Sequence, residues 1–368
     1  MKKRNIILTS IALFVFASLS NAQIKWNNPK SSTENLIHGR YWGEQNKENF
    51  NRLPAKAKDL VRDKVWSLSK ESAGLSLVFK TNAKDIKIKY KITGGHSMPH
   101  MPATGVSGVD LYAQQENGAP LWCKGDFSFG DTIRYDYQNL EAENASSKEQ
   151  VFQLFLPLYN SVSFLEVGVG QNDTFQFIAN SNEKSIVVYG TSIAQGACAS
   201  RPGMAWTNIL TRTINQPIIN LGFSGNGQLE PELFELMGEI NTKLYIIDCM
   251  PNMTKERTEL IYDRTIAGVR QLRKHNQAPI LLVEHDGYMG FHMNPKLKSY
   301  YVNTNIELRK AYEELISEGL TDIYYLSHKE LGLSPDSQVD GTHASDVGMQ
   351  EYAKAYRLKI QEIFNSSK

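Results

Sequence analysis

The strongest constraint on the fold comes from five short apolar runs in the second half of the chain, at residues 186–189, 218–221, 244–247, 280–283 and 323–326. The runs do not alternate with polar residues, which is typical of strands buried on both faces of a sheet. Segments of helical length lie between or after them, at residues 231–240, 257–275, 302–318 and 346–363. Strand and helix in alternation predict an α/β domain whose parallel sheet is covered by helices on both sides.

The first half of the chain has a different pattern. Isoleucine and tyrosine alternate with lysine through residues 86–92, as expected for a strand with one buried face. Further short strands are predicted at residues 75–79, 109–113, 151–158, 162–169 and 175–177, with a hairpin turn at Asn117-Gly118 and one short helix at residues 55–65. This pattern predicts a β-sandwich or jelly-roll-like domain. A polar link at residues 181–184 then predicts domains at residues 23–180 and 181–368.

The first 22 residues have the pattern of a signal peptide. Lys2, Lys3 and Arg4 precede a mostly apolar stretch, and Ser20-Asn21-Ala22 fits a small-residue cleavage site. We therefore expect cleavage near Ala22 and export of the mature protein, which would be periplasmic or secreted. An uncleaved anchor is the alternative. No later stretch is apolar enough to suggest a membrane span.

Composition argues against two other classes of function. The 40 Lys+Arg and 39 Asp+Glu residues give a formal net charge of +1, and no basic run with interleaved aromatics predicts nucleic-acid binding. The three cysteines, Cys123, Cys198 and Cys249, lack the spacing of a zinc site and are predicted to be structural. In an exported protein they allow at most one disulfide, and the sequence does not say whether one forms. It is equally silent on the oligomeric state.

Candidate chemical groups follow the predicted strands. Gly190-Thr191-Ser192 comes after the first strand, a glycine-rich loop at residues 222–227 after the second, and Asn252 after the third. Asp340 and His343 precede the last helix. Ligands of doubly wound sheets bind at such strand ends, and acyl transfer requires a nucleophile, a base, an orienting group and oxyanion donors. Together these residues supply every part.

Each part also has an ordinary structural interpretation. Ser192 could be only a helix cap, the glycines and Asn252 only turn residues, and Asp340-Gly341 only a turn. An α/β-hydrolase is disfavoured because its nucleophile motif needs glycine where Ala194 stands. The combination in this order is a stronger indication than any single motif.

The combination resembles the conserved blocks of SGNH (GDSL-like) hydrolases, in residues 189–193, 220–227, Asn252 and 340–343. Residues 196–204 resemble one bacterial subfamily, and Gly108-Val109-Asp110-Leu111-Tyr112 resembles the GxDLY signature of its preceding β-domain. The resemblance implies a flavodoxin-like three-layer domain behind a β-sandwich, and a serine esterase that needs no metal or organic cofactor.

Carried onto this sequence, the resemblance implies Ser192 as nucleophile, His343 as base and Asp340 as its support. The oxyanion donors would be the backbone N–H groups of Ser192 and Gly225 and the Asn252 side chain. One departure is Thr191, which stands where the family usually has an acidic residue.

Related enzymes with such a β-domain resemble carbohydrate esterases that remove acetyl groups from polysaccharides, so the expected partner is an acylated carbohydrate. Arg201, Glu284 and His285 are possible substrate-binding residues, although rim or ion-pair roles are equally open. Aromatic side chains that could stack on sugar are Trp26, Trp42, Trp66 and Trp122, unless they belong to the core. A lipid or aryl esterase and an inactive glycan-binding protein are the alternatives. His96 and His100 flank Pro99 and are not expected to form a metal pair.

Overall fold

The computed structural model describes residues 23–46, 49–115, 118–141, 149–181, 183–214 and 216–366. The predicted signal peptide and Asn117 of the predicted hairpin turn lie outside these residues. No helix in the described ranges is long and apolar enough to cross a membrane.

Two antiparallel sheets form the first part of the chain. One has the strand order β1-β10-β4-β8-β7, and the other has the order β11-β3-β9-β5-β6 with β2 paired to β3. The strands are β1 (Ile24–Asn27), β2 (Ile37–His38), β3 (Ser76–Thr81), β4 (Ile86–Ile92), β5 (Asp110–Ala113), β6 (Leu121–Cys123), β7 (Asp126–Ser128), β8 (Ile133–Tyr137), β9 (Gln150–Phe155), β10 (Val162–Gly170) and β11 (Phe175–Ile178). Inward-facing side chains of both sheets, including Leu77, Ile88 and Leu154, form one core.

A five-stranded parallel sheet forms the second part, in the order β13-β12-β14-β15-β16. Its strands are β12 (Ser185–Gly190), β13 (Ile218–Gly222), β14 (Thr242–Asp248), β15 (Ile280–Val283) and β16 (Ile323–Leu326). This is the 2-1-3-4-5 order of flavodoxin-like folds, and its switch point lies beside β12. The predicted fold class, a flavodoxin-like α/β domain after a β-rich domain, is confirmed, and all five apolar runs are strands.

Helices cover both faces of the parallel sheet because successive strand residues point to opposite sides. The α-helices in the described ranges are α1 (Asp63–Ser69), α2 (Ala103–Val106), α3 (Ser192–Gln195), α4 (Trp206–Ile214), α5 (Pro231–Gly238), α6 (Ile261–Arg273), α7 (Pro295–Ser317), α8 (His328–Leu331) and α9 (Asp346–Ser366). Val187 and Tyr189 pack with α5, α6 and α7, whereas Ile186 and Val188 pack with α4 and α9.

The helix predicted at residues 55–65 is wrong in its bounds. A short 3₁₀ turn occupies Ala55–Asp59, and the α-helix begins only at Asp63 and ends at Ser69. Leu60 closes the 3₁₀ turn through its N–H and the Ala57 carbonyl. Helix α1 buries Val65 and Leu68 against the core that also covers the parallel sheet, so the segment joins the two domains.

Arg52 is the most deeply buried cation at this junction, with 1% of its surface exposed. Its guanidinium donates hydrogen bonds to the carbonyls of Leu68 and Glu71 in the first domain, and to those of Asn220 and Gly222 in the second. Burial lowers the pKa of Arg52 to about 10, so the group stays charged at neutral pH. It therefore fixes the end of β13 relative to the β-domain.

We expect Arg52→Ala to lower the free energy of unfolding by about 3–5 kcal/mol, because four buried carbonyls would lose their donor. Urea unfolding followed by tryptophan fluorescence measures the change. Arg134→Ala is the control, since Arg134 is exposed on β8 and should change stability by less than about 0.5 kcal/mol. A loss below about 1 kcal/mol for Arg52→Ala would contradict the assigned role.

Candidate active site

Ser192 is the first residue of α3 and lies at the carboxyl end of the strand beside the topological switch point. Thr191 caps this helix, since its side-chain oxygen accepts the Ile193 N–H at 3.3 Å. Asp and Thr both serve as helix caps, so the Thr191 departure leaves the start of α3 intact. The short helix ends at Gly196, whose φ of 107° closes the turn.

A chain of hydrogen bonds joins Ser192, His343 and Asp340. The Ser192 Oγ lies 2.9 Å from His343 Nε2, and His343 Nδ1 lies 2.7 Å from Asp340 Oδ2. An ionised Asp340 accepts a hydrogen bond from Nδ1–H, which leaves Nε2 as the acceptor for the serine hydroxyl. The structure thus brings together the three residues that the sequence predicts as nucleophile, base and support.

The loop that carries His343 is fixed locally. Asp340 Oδ1 accepts the backbone N–H groups of Thr342 and His343 at 3.0 and 2.8 Å, and Gly341 adopts a φ of 83° that glycine tolerates best. Burial raises the pKa of Asp340, but the His343 and Thr342 donors outweigh it and hold the pKa below its ordinary value. Asp340 therefore stays ionised and orients the imidazole.

Three potential donors surround the serine. The backbone N–H groups of Ser192 and Gly225 have no acceptor among the described residues. The Asn252 side chain donates one hydrogen bond to the Asn226 carbonyl at 2.6 Å, and an amide NH₂ has a second hydrogen to give. The glycine-rich loop is pressed against β12, because a Cβ on Gly227 would lie 2.1 Å from the Gly190 carbonyl oxygen.

His100, from the β-domain, also reaches this site. Its ring stacks on that of His343, with centroids 5.6 Å apart and planes inclined by 29°. Its backbone carbonyl accepts a hydrogen bond from Cys198 Sγ at 3.3 Å. Sequence reasoning missed this contact, because nothing local links His100 to a residue so distant in the chain. The β-domain therefore contributes a side chain beside the His343 imidazole.

His100, Cys198, Asp340 and His343 place metal-ligating atoms within 4.8 Å of one another. Both ring nitrogens of His343 already bond to Ser192 and Asp340. Burial also raises the pKa of Cys198 to about 12, which disfavours the thiolate that a metal would need. The geometry therefore favours a hydrogen-bonded triad at this place. All three cysteines are buried and free of disulfides.

The other predicted site residues lie elsewhere. Glu284 is buried and accepts hydrogen bonds from the Tyr325 hydroxyl and from His328. His285 is fully buried and accepts the Gly287 N–H through Nδ1. Both residues are buried and hydrogen-bonded to residues of α7, Glu284 to Arg309 and His285 to Asn305. Arg201 pairs with Asp110 of the β-domain.

Comparison with known proteins agrees with this geometry. Residues 183–361 match the GDSL-like lipase/acylhydrolase family model, and residues 24–175 match the model of the GxDLY N-terminus of SGNH-type esterases. A Bacteroides ovatus protein assigned as a GDSL-like lipase is 30% identical, with a TM-score of 0.84, over 93% of this chain and 98% of that chain. No curated protein matches the chain.

Two further solved structures share the fold at lower identity. One is a salicylyl-acyltransferase from a tetracycline biosynthetic pathway, 16% identical with a TM-score of 0.72 over 92% of this chain and 97% of that one. The other is a family two carbohydrate esterase from Cellvibrio japonicus, 12% identical with a TM-score of 0.56 over 94% and 99%. The chain belongs to the GDSL-like lipase/acylhydrolase family, in the group with a GxDLY N-terminal domain. Membership of this family supports an esterase activity for the chain.

Asp248 lies under the site, at the end of β14 and paired with Gly190. It is 3% exposed and accepts the Tyr356 hydroxyl at 2.8 Å. Burial raises its pKa to about 7, and the negative charge of Asp286 adds to the shift. In the folded protein Asp248 therefore keeps its proton at pH values well above 3.8, the ordinary pKa of this carboxyl group.

Because the unfolded chain loses this proton first, stability should fall as pH rises from about 4 to about 7, by up to about 1.4 kcal/mol per pH unit. Asp248→Asn carries no titrating group and should lack this part of the decline, while its amide oxygen can still accept the Tyr356 hydroxyl. Urea unfolding of both proteins across the range measures it. Parallel stability curves for the two proteins would show that Asp248 is not the group responsible.

Proposed function

We propose that the protein is an exported carbohydrate esterase that removes O-acetyl groups from poly- or oligosaccharides through an acyl-enzyme on Ser192. The observation that carries the proposal is the hydrogen-bonded chain from Asp340 through His343 to the Ser192 hydroxyl. It lies at the strand end where doubly wound sheets bind ligands, in a chain of the GDSL-like family.

The chemistry proceeds in two steps. His343 Nε2 takes the hydroxyl proton as Ser192 Oγ forms a bond to the acetyl carbon, and the carbonyl electrons move to its oxygen. When the tetrahedral intermediate collapses, the ester C–O bond breaks and the sugar oxygen receives that proton from His343. Water then gives a proton to His343 and its oxygen forms a bond to the acetyl carbon. When this second intermediate collapses, the bond from the acetyl carbon to Ser192 Oγ breaks, Oγ takes the proton back from His343, and acetic acid leaves. No metal or organic cofactor takes part.

The developing oxyanion would be held by the N–H groups of Ser192 and Gly225 and by the second N–H of Asn252. All three are fixed before substrate binds, since α3 is capped by Thr191 and the Asn252 amide is held by Asn226. Preorganised donors of this kind are the largest single contribution to many acyl transfers.

The predicted location of the protein and one structural relative support an acetylated carbohydrate as the substrate. The signal-peptide pattern of residues 1–22 would deliver the mature protein to the compartment where polysaccharides lie. One structural relative is a carbohydrate esterase, whereas another is a salicylyl-acyltransferase. The shared fold thus serves more than one acyl acceptor, and the substrate must be measured.

We expect wild-type protein to release acetate from 4-nitrophenyl acetate and from acetylated xylan, and Ser192→Ala to lower kcat by roughly 10⁴-fold or more, since the nucleophile is lost. Ser163→Ala, at an exposed position on β10, is the control and should keep full activity. Activity on the aryl ester alone would favour an aryl or lipid esterase. Turnover that survives in Ser192→Ala would overturn the mechanism, and an inactive wild type would favour a glycan-binding protein.

A further inference from the structure

A cavity lies between the two domains, and Ser192 is not among its lining residues. Its volume is about 420 Å³, and we call it the interdomain pocket. It is lined by Tyr112, Pro120 and Trp122 from the β-domain and by Arg201, Met204, Ile209, Arg212, Thr213, Gln350, Ala353, Lys354 and Arg357 from the α/β domain. None of these residues belongs to the triad.

Trp122 provides an aromatic surface at the mouth of this pocket. Its side chain is 49% exposed, yet its position is fixed because Nε1–H donates to the Asp110 carboxylate at 2.6 Å. The other three tryptophans proposed above for sugar stacking are less suitable. Trp42 is buried, Trp66 packs on a core, and the Trp26 ring is covered by Lys89 at 3.9 Å. Trp122 combines a fixed ring with an exposed surface, although the Arg201 guanidinium carbon lies 4.6 Å from its ring centroid and covers one face.

The charge of the pocket is strongly positive. Its lining holds four cations and no carboxylate. Arg201 is neutralised by the buried Asp110 beneath it. Among the described residues, no acidic partner is found for the remaining three cations, Arg212, Lys354 and Arg357.

Arg212 is also held in place, and one of its N–H groups has no acceptor in the described ranges. Its guanidinium lies 4.1 Å from the Tyr112 ring centroid and donates to the Gly203 carbonyl, while its buried Nε–H has no acceptor in the described ranges. Buried donors of charged groups are costly when unpaired. The Arg212 guanidinium is therefore fixed in the wall of the pocket, where its charge can pair with an anion.

Helix α9 connects this pocket to the catalytic loop. The helix begins at Asp346, three residues after His343, and Asp346 accepts hydrogen bonds from the N–H and hydroxyl of Ser200. Gln350, Ala353, Lys354 and Arg357 share one face of α9 through their i, i+3, i+4 and i+7 spacing. At 1.5 Å per residue, they lie about 6–16 Å along the helix from its first residue. An extended oligosaccharide could therefore contact both places.

We propose that the interdomain pocket is a distal subsite for a carboxylate-bearing sugar, so that the preferred substrate is an acetylated acidic oligosaccharide. This rests on the proposed esterase function. The sugar ring packs on Trp122, and its carboxylate pairs with Arg212, Lys354 and Arg357 through charge-assisted hydrogen bonds, which are stronger than neutral ones. A neutral sugar would leave these three cations without partners.

Binding is tested in the full mature protein with the Ser192→Ala substitution, so that no turnover interferes. Isothermal titration compares an oligogalacturonide with a neutral xylo-oligosaccharide of the same length. We expect the acidic sugar to bind at least about tenfold more tightly. Adding Lys354→Ala and Arg357→Ala should remove this preference, and adding Trp122→Ala should weaken both sugars.

The control carries Lys298→Ala and Lys310→Ala, two exposed lysines of α7 whose loss changes the net charge equally. It should bind both sugars like the parent. Equal affinity for the two sugars, or the same loss in the control, would overturn the subsite. Wild-type hydrolysis of 4-nitrophenyl acetate is measured separately, because its absence would refute the esterase while leaving the binding result interpretable.

Discussion

The site depends on one buried cation between the domains. Arg52 comes from the β-domain side, and its guanidinium donates to the carbonyl of Leu68 within α1, to that of Glu71 just after α1, and to two carbonyls at the end of β13. Those carbonyls include Gly222, which begins the loop that carries Gly225. The guanidinium carbon also lies 4.9 Å from the centroid of the Phe223 ring. The glycine-rich loop at residues 222–227 is therefore positioned by the neighbouring domain as well as by its own strand.

Asp110, the acidic residue of the GxDLY sequence, has a corresponding role on the other side of the interface. Its carboxylate binds the Trp122 indole, the Arg201 guanidinium and the Gly203 N–H. Burial raises the pKa of Asp110, and Arg201 opposes that rise with its charge. Asp110 thus ties the loop between α3 and α4 to the β-domain. The same contacts fix two walls of the interdomain pocket, so the β-domain shapes the enzyme surface rather than only flanking it.

The parallel sheet and the triad could be predicted from the sequence because both depend on short-range patterns. The buried strands have unbroken apolar runs, and each residue of the predicted triad lies shortly after a strand or shortly before a helix. Strand β8 was missed although its buried residues Ile133, Tyr135 and Tyr137 alternate with polar ones. Strands β1, β2, β6 and β7 could not be predicted in this way, since β6 and β7 expose most of their residues, β2 has only two, and none of the four residues of β1 is buried. Periodicity needs a longer segment with one buried face.

The contacts between domains could not be predicted at all. His100 beside His343, Arg52 at β13 and Arg201 on Asp110 each join segments far apart in the sequence, and their pairing depends on how the domains pack. For Glu284 and His285, the burial of the side chain could not be predicted either. Their position after a strand left substrate-binding and rim roles open, yet both side chains are buried, and the Tyr288 and Tyr301 rings lie against that of His285. Location at a strand end is necessary for a site residue but does not decide whether its side chain is accessible.

The central claim is that Ser192 is a nucleophile activated by His343, and covalent labelling tests it most directly. The protein is treated with diisopropyl fluorophosphate and digested with trypsin, and fragment ions of the peptide at residues 185–212 distinguish Ser192 from Ser185 and Ser200. We expect a single adduct on Ser192, formed far more slowly in His343→Ala. An adduct on another residue, or equal labelling rates in the two proteins, would contradict the assignment.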